Sequence, residues 1–205
     1  FINNETSNKW LLTIHGEGGL GKSFLLRRFR EIAKEELNRP VVLVDLHYRQ
    51  NRRSDEFLRK LVDQLGINDS TLREKISILR NPTSHYDALS EADAFDAASR
   101  DAINATKSAI GQVVKESGNK VIILLDTFDD AVSNTPFAFR FLPEIIKALK
   151  GSAYFVVVGR IDISKLGYFQ EQVQDIHLNY SLLKFQRSDI EKIISYHQEV
   201  DRAIK

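Results

Sequence analysis

The chain has 205 residues, 42% of them hydrophobic, enough for one well-buried domain. Its 29 basic residues stand against 28 acidic ones, and a net charge of +1 excludes a global field that would recruit nucleic acid or an anionic membrane. The absence of cysteine excludes disulfides and thiolate metal ligands or nucleophiles, and no apolar run approaches the roughly 18 residues of a membrane span. These features predict a soluble, cytoplasmic protein with no membrane partner. A chain without a methionine is expected to be part of a longer protein.

Residues 1–9 are polar and rich in Asn, and read as a leading segment with no element of its own. Trp10–Ile14 is the first predicted strand, apolar on both faces like a central strand of a covered parallel sheet. Trp10 reads as core packing rather than as a base stacker. Directly behind this strand stands Gly16–Ser23, GEGGLGKS, which fits the phosphate-loop spacing G-x-x-x-x-G-K-S/T. A triphosphate needs several backbone N–H donors converging on its oxygens, and Gly16, Gly18, Gly19 and Gly21 let the backbone come close enough. Glu17 and Leu20 belong to the loop with side chains directed away from the cradle. A helix beginning near Lys22 directs its free amides and positive dipole end at the phosphates, with Phe24 in its first turn. Lys22 is expected to reach the β/γ oxygens and Ser23 to offer its hydroxyl to Mg²⁺. Leu25, Phe29, Ile32 and Ala33 mark the face of that helix expected to lie on the sheet.

Val41–Leu46 is a second buried strand, parallel to the first through a right-handed crossover. The basic stretch His47–Arg53, three arginines with one tyrosine, reads as a solvated loop, with contact to nucleic-acid phosphate as the alternative. Ser54 is expected to cap a helix whose apolar stripe is Phe57, Leu58, Leu61, Val62 and Leu65, stopped at Gly66. Thr71–Glu74 fits a capping box before a short helix ended by Asn81-Pro82, and Ser90–Glu116 reads as one long or kinked alanine-rich helix. Residues 67–98 exceed what a crossover needs and read as a helical insertion.

Val121–Leu125 is the strongest strand signal and ends in Asp126. An acid ending a buried strand downstream of a phosphate loop is the Walker B pattern, in which the carboxylate holds Mg²⁺. Asp129 and Asp130 follow, either as a group that polarises the attacking water or as ordinary turn residues. Thr135-Pro136 opens a helix that Pro143 interrupts or restarts. Tyr154–Gly159 is another buried strand, followed by Arg160, placed either to reach a γ-phosphate or to pair with Asp162. Val173–Leu178 is the fifth predicted strand, and Ser188–Glu191 is a capping box opening a further helix.

The loop GEGGLGKS, the segment Ile123–Asp130 and the strand end Val157–Arg160 resemble the signal-transduction NTPases of the STAND class, which contains NACHT and NB-ARC domains. Thr127 departs from the glycine common in NACHT domains. The resemblance implies an α/β fold: a three-layer α/β/α P-loop NTPase sandwich, its mostly parallel five-stranded sheet in the order 5-1-4-3-2. It would comprise a nucleotide domain over residues 10–185 and the start of a helical domain over 186–205. It further implies an ATP/ADP switch with Mg²⁺ and slow hydrolysis. Lys22, Asp129, Asp130 and Arg160 would be its catalytic groups, Gly16–Phe24 its nucleotide contacts, and Ser23 and Asp126 its metal ligands. Self-association through the nucleotide domain, signal transduction and defence would be its context, with nucleic acid not expected as a partner. Alternatives are an AAA+ ATPase acting on DNA, whose Asp-Glu pair is missing because Thr127 follows Asp126, and a nucleotide-binding scaffold without turnover. A GTPase is disfavoured, since no Asn-Lys-x-Asp guanine reader occurs.

Overall fold

The computed structural model describes residues 9–86, 88–132 and 136–184. Its frame is a five-stranded sheet in the order β2-β3-β4-β1-β5, the predicted order read from the other edge. The strands are β1 (Leu11–His15), β2 (Val41–Asp45), β3 (Val121–Asp126), β4 (Ala153–Gly159) and β5 (His177–Ser181). Every pairing is parallel, so all carboxyl ends open on one rim, where His15 stands beside Gly159 and Asp45 beside Asp126. Burial follows position: β3 and β4 in the centre are almost wholly enclosed, whereas β2 and β5 at the edges alternate or open to solvent.

Helices cover both faces. On one lie α2 (Ser54–Gln64), α3 (Ser70–Ile78), α4 (Glu91–Ser117), α6 (Leu142–Ala148) and α7 (Gly167–Val173). Their core includes Leu11, Val42, Val44, Ile123, Leu125 and Phe155 of the sheet, with Phe57, Phe137 and Phe141 in mutual ring contact. Trp10 belongs to this core, its indole N–H donating to Ile146 O at 3.3 Å, as packing rather than base stacking requires. The other face carries α1 (Lys22–Glu31), which sets Leu26 and Ala33 on Leu12, Ile14, Ile122, Leu124, Val156 and Val158. A five-residue helix, α5 (Phe128–Val132), follows β3 immediately.

Several local expectations shift. On α1 the fully buried residue is Leu26, flanked by the expected Leu25 and Phe29, which pack half-buried against the same core, while Ala33 is buried in the π-turn Ile32–Glu36 that continues the helix. Ser54 is the first residue of α2 and not its cap; Arg53 takes the cap position, and the buried Asp55 in the first turn binds Arg53 at 3.1 Å and Arg80 at 3.2 Å. The cap of α3 is Asp69, which accepts from Leu72 N at 3.0 Å, in place of Thr71. The long helix begins at Glu91, with Ser90 as its cap, accepting from Asp93 N. The fifth strand begins at His177 rather than Val173; Val173 and Ile176 are buried, but at a spacing of three they end α7 and a 3₁₀ turn.

Residues 67–98 form α3, a 3₁₀ turn at Pro82–Ser84 and the first turns of α4, and they bury Leu72, Ile76, Leu79 and Ala98 in the same core as the sheet. Thr135, the capping box Ser188–Glu191, the leading residues 1–8 and the helical segment 186–205 lie outside the described residues. Among the described residues no helix is long and apolar enough to cross a membrane.

Candidate active site

At the carboxyl rim, between the ends of β1, β3 and β4, a cleft of about 240 Å³ is lined by Gly18, Gly19, Gly21, Lys22, Ser23 and Phe24 from the loop. Asp126, Thr127 and Asp129 line it from the β3 side, and Gly159 and Arg160 from β4. Wider grooves of about 860 and 770 Å³ lie on the helical surface, but neither collects this set of groups. In an open parallel sheet the carboxyl ends of the strands are where ligands bind.

The loop is built for an anion. Gly19 and Gly21 hold φ of 82° and 77°, a left-handed path that side chains resist. Gly21 stands at the N-cap of α1 with no side-chain cap, no acid occupies the first turn, and the first helical amide bond runs from Leu25 N to Gly21 O. The amides of Lys22, Ser23 and Phe24 precede that first bond, and no first-turn acid offsets the positive end of the helix dipole. Lys22 Nζ donates to Gly16 O at 2.8 Å and Glu17 O at 2.6 Å, which folds the cation over the loop. With the Ser23 hydroxyl and the Asp126 carboxylate at the same cleft, the donor set fits a polyphosphate with its divalent cation.

Three loop positions do not line the cleft. A Cβ on Gly16 would stand 2.6 Å from Leu182 O, so the stem of the loop passes against the chain leaving β5. Leu20 packs beside Gly16, and Glu17 is exposed and pairs with Lys184 at 2.5 Å. Phe24 lines the cleft with 76% of its surface exposed.

On the β3 side Asp126 is half-buried and accepts from Thr127 N at 2.8 Å. Asp129 Oδ1 accepts from Arg160 N at 2.6 Å and Ile161 N at 2.8 Å. Asp130 is directed elsewhere: Oδ2 lies 2.8 Å from His47 Nδ1, and its backbone oxygen accepts from Arg52. The guanidinium of Arg160 lies over the loop, about 4 Å from where a Cβ of Gly18 would stand, and no ion pair to Asp162 is among its contacts. Asp162 instead accepts from Asn179 Nδ2 at 2.8 Å and faces His15 and Lys165, each at 3.8 Å.

Thr127, Gly159 and a polar network behind the loop stem are additions to the residues expected at the site. In the network Thr13 Oγ1 lies 2.5 Å from His177 Nε2 and donates to Asn179 Oδ1 at 2.8 Å, with His15 Nδ1 3.1 Å from the same oxygen. Burial pushes His177 below its ordinary pKa, while the charge of Asp162 pulls it up and that of Lys9 pushes it further down. The sequence signals for these are slight: a polar residue at alternate positions of β1 and β5, and a glycine between a Val-rich strand and an arginine.

A profile of the AAA domain family matches residues 5–166. No curated protein sequence matches the chain. Among solved structures it resembles the Aeropyrum pernix ORC2 protein in its ADPNP-ADP complexes, at 17% identity and a TM-score of 0.59 over 93% of this chain and 46% of that one. The ADP form of the same protein matches at 16% identity and a TM-score of 0.54, covering 94% of this chain and 47% of that one. Drosophila ORC bound to AT-rich DNA and Cdc6 matches at 12% identity and a TM-score of 0.52, covering 85% of this chain and 49% of that one. At such identities the likeness establishes the fold, and the chain spans just under half the length of the solved chains it matches.

Proposed function

This chain belongs to the AAA domain family, and from that membership we propose that it is the ATP- and ADP-binding domain of an AAA-type ATPase that hydrolyses ATP slowly. The observation that carries the reading is the meeting of the phosphate loop, Asp126 and Arg160 in one cleft at the carboxyl rim. Three strands far apart in sequence supply them, and each brings a group that phosphoryl transfer needs.

The chain's own residues then have defined tasks. Lys22 exchanges the neutral Gly16 and Glu17 carbonyl acceptors for anionic phosphate oxygens, which pairs charge with charge. The free amides at the start of α1 hold the phosphates, and Ser23 and Asp126 hold the cation. A divalent cation held by these two residues would supply charge neutralisation for the phosphates. Arg160 reads the γ-phosphate from across the cleft, so it distinguishes ATP from ADP. Self-association of the full-length protein would add charge to the same cleft.

The family match supports an AAA-type ATPase and lends no support to the STAND class, so signalling and defence rest on the motif resemblance alone. It equally removes support for leaving nucleic acid out. A second reading is therefore action on DNA, favoured by the basic segment that follows the carboxyl end of β2, where Tyr48 and Arg49 are exposed, and by the DNA-bound fold relative. DNA added to a turnover assay separates the readings.

Calorimetry with ATP and ADP, with and without Mg²⁺, tests the main one. Lys22→Ala is expected to abolish or badly weaken ATP binding. Asp126→Asn is expected to remove the Mg²⁺ dependence and to spare ADP more than ATP. Unchanged ATP affinity in the lysine variant would mean that the loop does not hold a triphosphate.

A further inference from the structure

We infer that Asp129 is a positioning residue, whose carboxylate fixes the backbone turn that presents Arg160 to the nucleotide cleft. The inference rests on the ATPase reading and assigns within it a role that an amide oxygen performs as well as a carboxylate. Asp129 Oδ1 accepts two consecutive amides, Arg160 N at 2.6 Å and Ile161 N at 2.8 Å, from a segment some thirty residues further along the chain. Two such bonds to one charged oxygen fix both partners in direction as well as in distance.

The surroundings are shaped for that approach. A Cβ added to Gly159 would stand 3.1 Å from Asp129 Oδ1, tighter than ordinary contact, and 3.4 Å from Phe128 Cβ, so the glycine before Arg160 leaves the carboxylate its room. Phe128 is fully buried and meets Phe169 edge to face at 5.6 Å, which anchors the start of α5. On its other side Asp130 binds His47 and Arg52, so α5 is held at both flanks. The three-residue step from Asp126 to Asp129 then has a mechanical meaning. It joins the acid ending β3 to the arginine following β4, its neighbour in the sheet.

Because Arg160 projects from a strand end, its guanidinium is aimed only as well as its backbone is held. Removing the two bonds at Asp129 should therefore mimic removal of the arginine itself, whereas a residue acting as a general base would be sensitive to loss of its charge alone.

The test compares Asp129→Asn, Asp129→Ala, Arg160→Ala and the double alanine variant. Binding of ATP and ADP is measured by calorimetry in the presence of Mg²⁺, together with kcat and KM for hydrolysis. Asp129→Ala and Arg160→Ala are each expected to lose ATP affinity by roughly tenfold to a hundredfold, with ADP nearly unchanged. The double variant should be no worse than Arg160→Ala, and Asp129→Asn should keep the wild-type preference for ATP and most of kcat. If Asp129→Ala does not fold, the asparagine variant decides alone. An asparagine variant that binds ATP normally but loses kcat by about a hundredfold or more would mark a base and overturn the assignment. Additive losses in the double variant would overturn it too. Wild-type protein that binds neither nucleotide would instead overturn the ATPase reading, a result distinct from either of these.

Discussion

Thr127 holds φ at 56°, in the left-handed region where a β-branched side chain crowds its own backbone at a cost of about 1–2 kcal/mol. The strain sits at the cleft, between the acid that ends β3 and the first residue of α5. It turns the chain at once from strand to helix, which is what sets Asp129 against the end of β4. Thr127→Gly removes the crowding and adds about 0.5–1 kcal/mol of unfolded-chain entropy, so the net effect is a gain of about 0.5–1 kcal/mol. Denaturant unfolding at constant m-value checks it; a loss of stability would mean that the hydroxyl makes a contact worth more than the strain. That the glycine-rich loop, Asp126 and Arg160 stand together at the carboxyl rim was legible in the sequence because each reports its place through immediate neighbours: a fixed glycine spacing, or a polar residue ending an apolar run. The bonds of Asp129 were not, since its two partners lie 31 and 32 residues away and only the sheet brings them together.

Among the elements, the central strands and the edge strand β2 announced themselves and the other edge strand, β5, did not. β3 and β4 are enclosed on both faces, so unbroken apolar runs specify them, whereas the sheet order was implied by the family resemblance and not by these runs. β5 pairs with β1 in the sheet and leaves Asn179, Tyr180 and Ser181 exposed, so its sequence needs little apolar content, and the nearby Val173 and Ile176 pointed to the wrong segment. What secures β5 instead is polar, the contact of His177 with Thr13 and of Asn179 with Thr13, His15 and Asp162. Burial lowers the His177 pKa from 6.5, against the opposing pull of Asp162. The unfolded chain consequently takes up this proton at a higher pH than the fold does. The stability that neutral His177 contributes is complete above about pH 6.5 and is lost as pH falls through the lower folded-state value. Melting temperatures measured from about pH 8 down to about pH 5 should fall more steeply for the wild type than for His177→Gln. Parallel curves would show that the proton is not linked to this edge of the sheet.

At the scale of the whole molecule, binding and turnover should separate. Binding needs the cradle, which on our reading is made by Gly18, Gly19 and residues 21–24 of the loop, held by a strand in front and α1 behind. A ligand that engages only the folded state stabilises it by about 2.7 kcal/mol at a hundredfold excess over Kd, so ATP should raise the melting temperature. Turnover asks for more, because phosphoryl transfer is accelerated by positioning and electrostatics, and every charge around the γ-phosphate has to be in place. Lys22, Asp126 and Arg160 belong to this chain, which spans less than half of the solved chains it resembles. On our reading the remaining charge is supplied by neighbouring protomers or further domains, and an arginine delivered in this way accelerates such reactions about 10³–10⁵-fold. The isolated chain is therefore expected to bind ATP yet release phosphate far more slowly than the median enzyme turnover of about 10 per second. Phosphate release at saturating ATP and Mg²⁺, followed beside light scattering, checks this, and duplex DNA in a parallel assay tests for stimulation through the basic loop. A rise with DNA that weakens steeply with salt would favour action on DNA, because phosphate contacts are lost as counterions compete. Rapid turnover by a monomer would show that the cleft is already catalytically complete, and the dependence on neighbours would have to be abandoned.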